Sequence, residues 1–212
     1  MSMRWLTIIL FLPAILLAQS ADDELVNVRE LIPDIVLDLK YSSRDNFTGQ
    51  KLYTINECLL VHGAVRRLIL VQDSLKKITG FNGISYPEGL GIKIWDGYRP
   101  RAIQYLMWEI FPDPTYVADP TNGSVHNRGG AIDLTLIDRA TGQELAMPTE
   151  FDYFGEKAWH GYDQLPAEVI ANRELLRGLM EQYAGFEIYV NEWWHYVWVP
   201  SKAFPLQDFQ MK

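Results

Sequence analysis

The chain has 212 residues, 48% of them hydrophobic and 22% charged, which suits one globular domain with a core of ordinary size and excludes a disordered chain. A formal net charge of −8 lacks the basic footprint that nucleic acid or an anionic membrane surface requires. The single cysteine, Cys58, excludes an intramolecular disulfide, and its neighbours Leu59, Leu60 and Val61 point to a packed thiol rather than a reactive one.

Residues 1–20 read as a secretory signal peptide. Arg4 supplies the positive start, residues 5–17 are almost continuously apolar, and Ala18-Gln19-Ser20 carries small residues at its outer positions. The apolar run is shorter than the ~20 residues of a spanning helix. A cleaved leader is therefore expected rather than an uncleaved anchor, leaving residues 21–212 as one exported domain, periplasmic or secreted.

Residues 35–39 predict a short strand and residues 46–49 a turn. Apolar residues at 55, 59, 60, 64, 65, 68, 71, 75 and 78 follow a helical period, and Gly80 is a plausible stop. His62 falls on that helix and reads as structural. Residues 91–95 predict a strand ending at Asp96-Gly97, and residues 101–111 a helix with Pro100 at its start. Between them Arg99 sits on a loop held by two rigid elements. Its guanidinium could stabilise an oxyanion, or it could form a surface pair with Asp96.

Residues 112–122 hold three prolines and read as loop. Gly129-Gly130 argues against a helix, so His126 belongs to a loop that enters a strand over residues 131–137. Within that strand Ile132, Leu134 and Leu136 share one face, and Asp133 points to the other. Imidazole and carboxylate are ordinary zinc ligands, although a lone His–Asp pair at this spacing is a weak signal and more often a loop residue and a solvated strand residue. His160 reads as a loop or surface residue. Residues 166–183 predict a third helix, and residues 186–190 and 194–199 paired strands.

In Glu192-Trp193-Trp194-His195-Tyr196, β-branched and aromatic neighbours favour a strand. Residues three apart in a regular strand face opposite ways, so Glu192 and His195 converge only if Glu192 lies on the preceding turn. His126, Asp133 and His195 would then leave a fourth position for water, and Glu192 would take its proton. The aromatics are otherwise core. Helices and strands are interspersed without a βαβ rhythm, which reads as α+β with a mainly antiparallel sheet.

Four segments in this order resemble the D-alanyl-D-alanine dipeptidases of the VanX type: residues 40–49, W-D-G-Y-R-P at 95–100, S-x-H-x-x-G-x-A-x-D at 124–133 and E-W-W-H-Y at 192–196. The similarity spans about residues 36–199. The wider superfamily includes zinc D,D-carboxypeptidases and Hedgehog signalling domains. The resemblance implies one zinc ion per chain held by His126, Asp133 and His195, Glu192 as general base and acid, and Arg99 as stabiliser of the tetrahedral intermediate. It also implies that Asp152 holds the substrate's free amine and that Tyr41 and Ser124 lie near a small substrate cavity. Arg44 departs from the pattern, as does the exported form. The implied reaction is hydrolysis of the D-Ala-D-Ala dipeptide. The competing expectations are a D,D-carboxypeptidase or endopeptidase acting on peptidoglycan stems, and a zinc-containing binding module without catalysis.

Overall fold

The structure, a computed structural model, describes residues 22–210; the expected signal peptide lies outside the described residues. Strand β1 (Leu25–Asn27) runs into the one-turn helix α1 (Val28–Leu31), whose N-cap Asn27 accepts a hydrogen bond from the Arg29 amide. Strand β2 (Val36–Leu37) follows, and β3 (Leu59–Val61) pairs antiparallel with β1. Helix α2 spans His62–Leu75. It therefore starts later than its apolar period predicts, because Leu59, Leu60 and Val61 complete a two-stranded sheet with β1; a strand partner distant in sequence overrides local propensity.

Strands β4 (Gly80–Phe81) and β5 (Ile84–Ser85) form a two-residue hairpin. Its turn residues Asn82 and Gly83 both have positive φ (52° and 76°), the geometry that Asn-Gly is suited to. Strand β6 is Leu90–Asp96, α3 is Arg101–Ile110 and β7 is Ala131–Asp138. Helix α4 (Ala167–Arg177) continues as a π-helical stretch over Gly178–Tyr183. Strands β8 (Phe186–Tyr189) and β9 (Glu192–Trp198) close the fold.

The main sheet has the order β2-β6-β7-β9-β8, with only β2 and β6 parallel. This is the expected α+β architecture. One face carries Ile92, Ile94, Ile132, Leu134, Leu136 and Tyr196, which share a single core with Val65, Leu68, Val71 and Leu75 of α2 and Leu176 of α4. At roughly 1.5–3 kcal/mol per buried aliphatic side chain, this face supplies much of the folding free energy. The other face of β7 carries Asp133 opposite both Asp96 of β6 and His195 of β9. No helix among the described residues is long and apolar enough to cross a membrane.

Two bulges re-aim acidic side chains on that second face. Ile94 pairs with Leu134 but Asp96 with Asp133, so Trp95 is an extra residue that brings Asp96 level with Asp133. Ile188 pairs with Tyr196 but Tyr189 with Glu192, so residues 193–195 bulge from β9. Glu192 is thus the first residue of the strand rather than part of the turn. The bulge, not a position outside the strand, reconciles it with His195.

Candidate metal centre and active site

His126 opens a short 3-10 turn, His126–Arg128, that ends at Gly129 in the left-handed region (φ 70°). The turn is stitched to the Asp96–Arg99 loop at several points. The His126 Nδ1–H donates to the Gly97 carbonyl at 2.7 Å, the Arg99 amide donates to the His126 carbonyl at 3.1 Å, and the Asn127 side chain donates to the Arg99 carbonyl at 2.8 Å. The Gly97 bond fixes the tautomer of His126 and leaves Nε2 as a bare lone pair, as metal-ligating histidines require. A side chain at Gly97 would put its Cβ 2.6 Å from Cys58 Sγ, so the tight turn depends on glycine there. Cys58 itself is buried, and burial pushes its thiol pKa up, which fits a packing role.

His126 Nε2 lies 3.3 Å from His195 Nδ1 and 3.4 Å from Asp133 Oδ2, and His195 Nδ1 lies 2.9 Å from Asp133 Oδ1. Tetrahedral zinc with bonds of ~2.0–2.1 Å separates its ligand atoms by roughly 3.3 Å. The three donors therefore fit one divalent ion, and they form a group that could hold a metal. Electrostatics agree. Burial raises the Asp133 pKa, but His126 and His195 outweigh it and hold the carboxyl well below the usual range. Burial lowers the His195 pKa against the pull of Asp133, favouring the neutral imidazole that ligates.

Glu192 Oε2 stands 3.8 Å from His195 Nδ1. Its carboxyl is pushed well above the usual range by burial, then by the charges of Asp133 and Asp152.

Arg99 does pair with Asp96, but not at the surface. Arg99 is 8% exposed and Asp96 0%. Nε and Nη2 donate to Asp96 Oδ2 at 3.1 and 2.7 Å, and Nη1 donates to Gln104 Oε1 at 2.9 Å. Tyr53 donates to the other Asp96 oxygen at 2.7 Å. The pair orients a buried guanidinium whose carbon sits 5.2 Å from the Tyr41 ring centre.

Asp152 occupies a left-handed backbone conformation (φ 59°) on the loop before α4, a strained position for a non-glycine residue. Its carboxylate accepts from the Tyr41 hydroxyl (3.1 and 3.2 Å) and the Phe47 amide (3.2 Å). Burial raises its pKa to about 7. Ser124 Oγ accepts from the His126 amide at 3.2 Å, fixing the entry to the turn.

All eight residues singled out from the sequence (Tyr41, Arg99, Ser124, His126, Asp133, Asp152, Glu192 and His195) line one cleft of about 300 Å³. Arg44 lies outside it, in a neighbouring surface depression. His62 opens α2, outside the metal-binding group. His160 corrects the expectation of a surface position. It is buried, with neither ring nitrogen partnered among the described residues, packs edge-on to Tyr196 at 6.0 Å, and does not line the cleft. Sequence reasoning missed Tyr53 and Gln104. The signal for Gln104 is a polar residue on the buried stripe of α3, beside Ile103 and Met107. Tyr53 gives no such signal.

Two imidazoles and one carboxylate around a single point, with a further acid beside them in a small cleft, define a metallohydrolase-type site on an α+β scaffold. Comparison with known proteins agrees. Residues 21–209 match the model of the family described as D-ala-D-ala dipeptidase. The D-alanyl-D-alanine dipeptidase of Escherichia coli K12 is 38% identical over 183 residues, covering 86% of this chain and 89% of the relative. Those of Enterococcus faecium (30% identical; 79% and 88% covered) and Streptomyces coelicolor (32%; 80% and 88%) are similar along their length. The chain belongs to the D-ala-D-ala dipeptidase family and is a metallopeptidase.

Proposed function

We propose that this enzyme hydrolyses the D-Ala-D-Ala dipeptide to free D-alanine with one zinc ion held by His126, Asp133 and His195. The observation that carries the reading is the convergence of these three ligands with Glu192, Arg99 and Asp152 in one cleft of about 300 Å³. That volume is at the small end for ligand pockets. A binding module would not need Glu192 and Arg99.

A zinc ion held there would supply Lewis acidity toward a water and the scissile carbonyl. Glu192 takes the proton of the attacking water and delivers it to the leaving amine. Its burial suits both halves of the transfer, because a carboxyl whose pKa is raised by burial is a stronger base than an exposed one. Arg99, held by Asp96, donates to the oxygen on which negative charge develops. Asp152, braced by Tyr41 and the Phe47 amide, receives the substrate ammonium. Phe47, Tyr116 and Phe154 stand around that end of the cleft, with the last two stacked at 4.7 Å. A charged amine is thereby favoured over an extended acyl chain.

The apolar leader expected over residues 1–20 places the enzyme outside the cytoplasm in this reading, which N-terminal sequencing of the exported chain checks. The decisive assay offers purified protein D-Ala-D-Ala, a tripeptide ending in D-Ala-D-Ala, and isolated cell wall, each with and without chelator. Chelator-sensitive release of D-alanine from the dipeptide is expected. Release from tripeptide or wall with none from dipeptide overturns the substrate assignment in favour of a D,D-carboxypeptidase or endopeptidase.

A further inference from the structure

We propose that Gln104 is a positioning residue that holds the Arg99 guanidinium and a loop lining the cleft in one register; the proposal rests on Arg99 acting as the oxyanion donor. Gln104 is 0% exposed, on the face of α3 that also buries Ile103 and Met107. A carboxamide in such a place is costly unless each end finds a partner. Here each does. Its Oε1 accepts from Arg99 Nη1 at 2.9 Å, and its Nε2 donates to the Ala118 carbonyl at 2.8 Å.

The two bonds do different things. Asp96 grips Arg99 along the Nε–Nη2 edge and leaves Nη1 to be fixed by something else. Gln104 supplies that second grip, so the plane of the guanidinium is set from two sides. Ala118 belongs to the loop between α3 and the His126 turn, which lines the cleft through Thr115, Tyr116, Val117 and Ala118. That loop is tied from the opposite side by the Tyr189 hydroxyl, which donates to the Thr115 carbonyl at 2.7 Å. One side chain of α3 therefore sets both the donor that meets the oxyanion and the wall that confines the substrate. A misplacement of about 1 Å at such a donor can cost on the order of 100-fold in rate.

The test separates the two bonds. Gln104→Met removes both at similar volume; Gln104→Glu keeps an acceptor for Arg99 but has no donor for Ala118. On D-Ala-D-Ala, with metal content and melting temperature followed in parallel, Gln104→Met is expected to lower kcat about 30-fold, the scale of a hydrogen bond to a charged group, and to raise KM severalfold. Gln104→Glu is expected to keep kcat within about threefold while KM rises about fivefold. Because Gln104 acts on kcat through Arg99, adding Gln104→Met to Arg99→Lys should lower kcat no more than about twofold further. A Gln104→Met kcat within threefold of the parent, or a loss that persists in full in the Arg99→Lys background, overturns the proposal. If Gln104→Met does not accumulate, Gln104→Glu decides: an unchanged KM overturns it and a raised KM at retained kcat supports it. Parental kcat in Arg99→Lys alone identifies the Arg99 assignment as the failed step, and the Gln104 inference falls with it.

Discussion

Asp133 stands directly opposite His195 across the β7–β9 ladder, and their side-chain atoms meet at 2.9 Å. Neighbouring strands lie ≈ 4.7–4.9 Å apart, so a cross-strand pair on one face is the shortest route by which a sheet can bring two ligands together. His126 then needs only to be delivered from the loop before β7, which the Gly97 carbonyl does by fixing its ring. Removing any one donor leaves two, too few for tight binding. His126→Ala is expected to purify with less than about a tenth of the parental metal, since even losing an outer partner of a ligand typically costs 10–100-fold in affinity. Elemental analysis after dialysis checks this, and full occupancy would remove His126 from the ligand set.

Glu192 approaches the same point without being one of the three donors. Glu192→Gln should therefore keep near-parental metal content while kcat falls by about 10³-fold or more, within the range of general acid–base catalysis. Turnover within tenfold of the parent would exclude Glu192 from proton transfer.

Asp96 is fully buried and takes two bonds from Arg99 and one from Tyr53. Asp96→Ala leaves a buried cation without its partner, which typically costs ~3–5 kcal/mol. Urea titration should show a loss of this size together with a fall in kcat. A stability change below about 1 kcal/mol would mean that solvent reaches Arg99 freely.

Asp152→Asn keeps the shape of the side chain and removes its charge. KM for D-Ala-D-Ala is expected to rise by about tenfold or more, the scale of one charge-assisted hydrogen bond, while a dipeptide with a blocked amine is affected little. Equal effects on both substrates would argue that Asp152 shapes the cleft without meeting the ammonium.

His160 is expected to make the protein acid-sensitive in a defined window. Burial, reinforced by Arg177 and Arg173, lowers its pKa from 6.5 to about 4. Between these values the unfolded chain binds a proton that the folded chain refuses, so stability falls as pH drops from about 6.5 to about 4, by roughly 2–3 kcal/mol. His160→Phe should flatten that limb of the stability curve and leave the alkaline side unchanged. An equally steep limb in the variant would assign the acid sensitivity to other groups.

Much of the fold was legible locally. The apolar period of α2 beyond His62, the alternation of β7 with Asp133 opposite Ile132 and Leu134, and the breaking effect of Gly129-Gly130 are short-range consequences of backbone geometry. The failures are long-range. Residues 59–61 carry a helical period yet form a strand, because β1 offers them a partner. His160 is the loop residue its sequence suggests, but it is buried rather than exposed, because it packs against Tyr196.

The residue types and their order determined what chemistry was available: two histidines, three acids and an arginine in four short segments on an α+β pattern. Tertiary structure alone decided that they line one cleft. The bulges at Trp95 and at residues 193–195 break the period of two that would otherwise scatter Asp96 and Glu192, and a bulge depends on the partner strand as much as on the bulged one. Gln104 shows the same limit from the other side. Its spacing marks it as a buried polar residue, but Arg99 and the Ala118 carbonyl, the partners that make burial tolerable, are supplied by how the chain folds around α3.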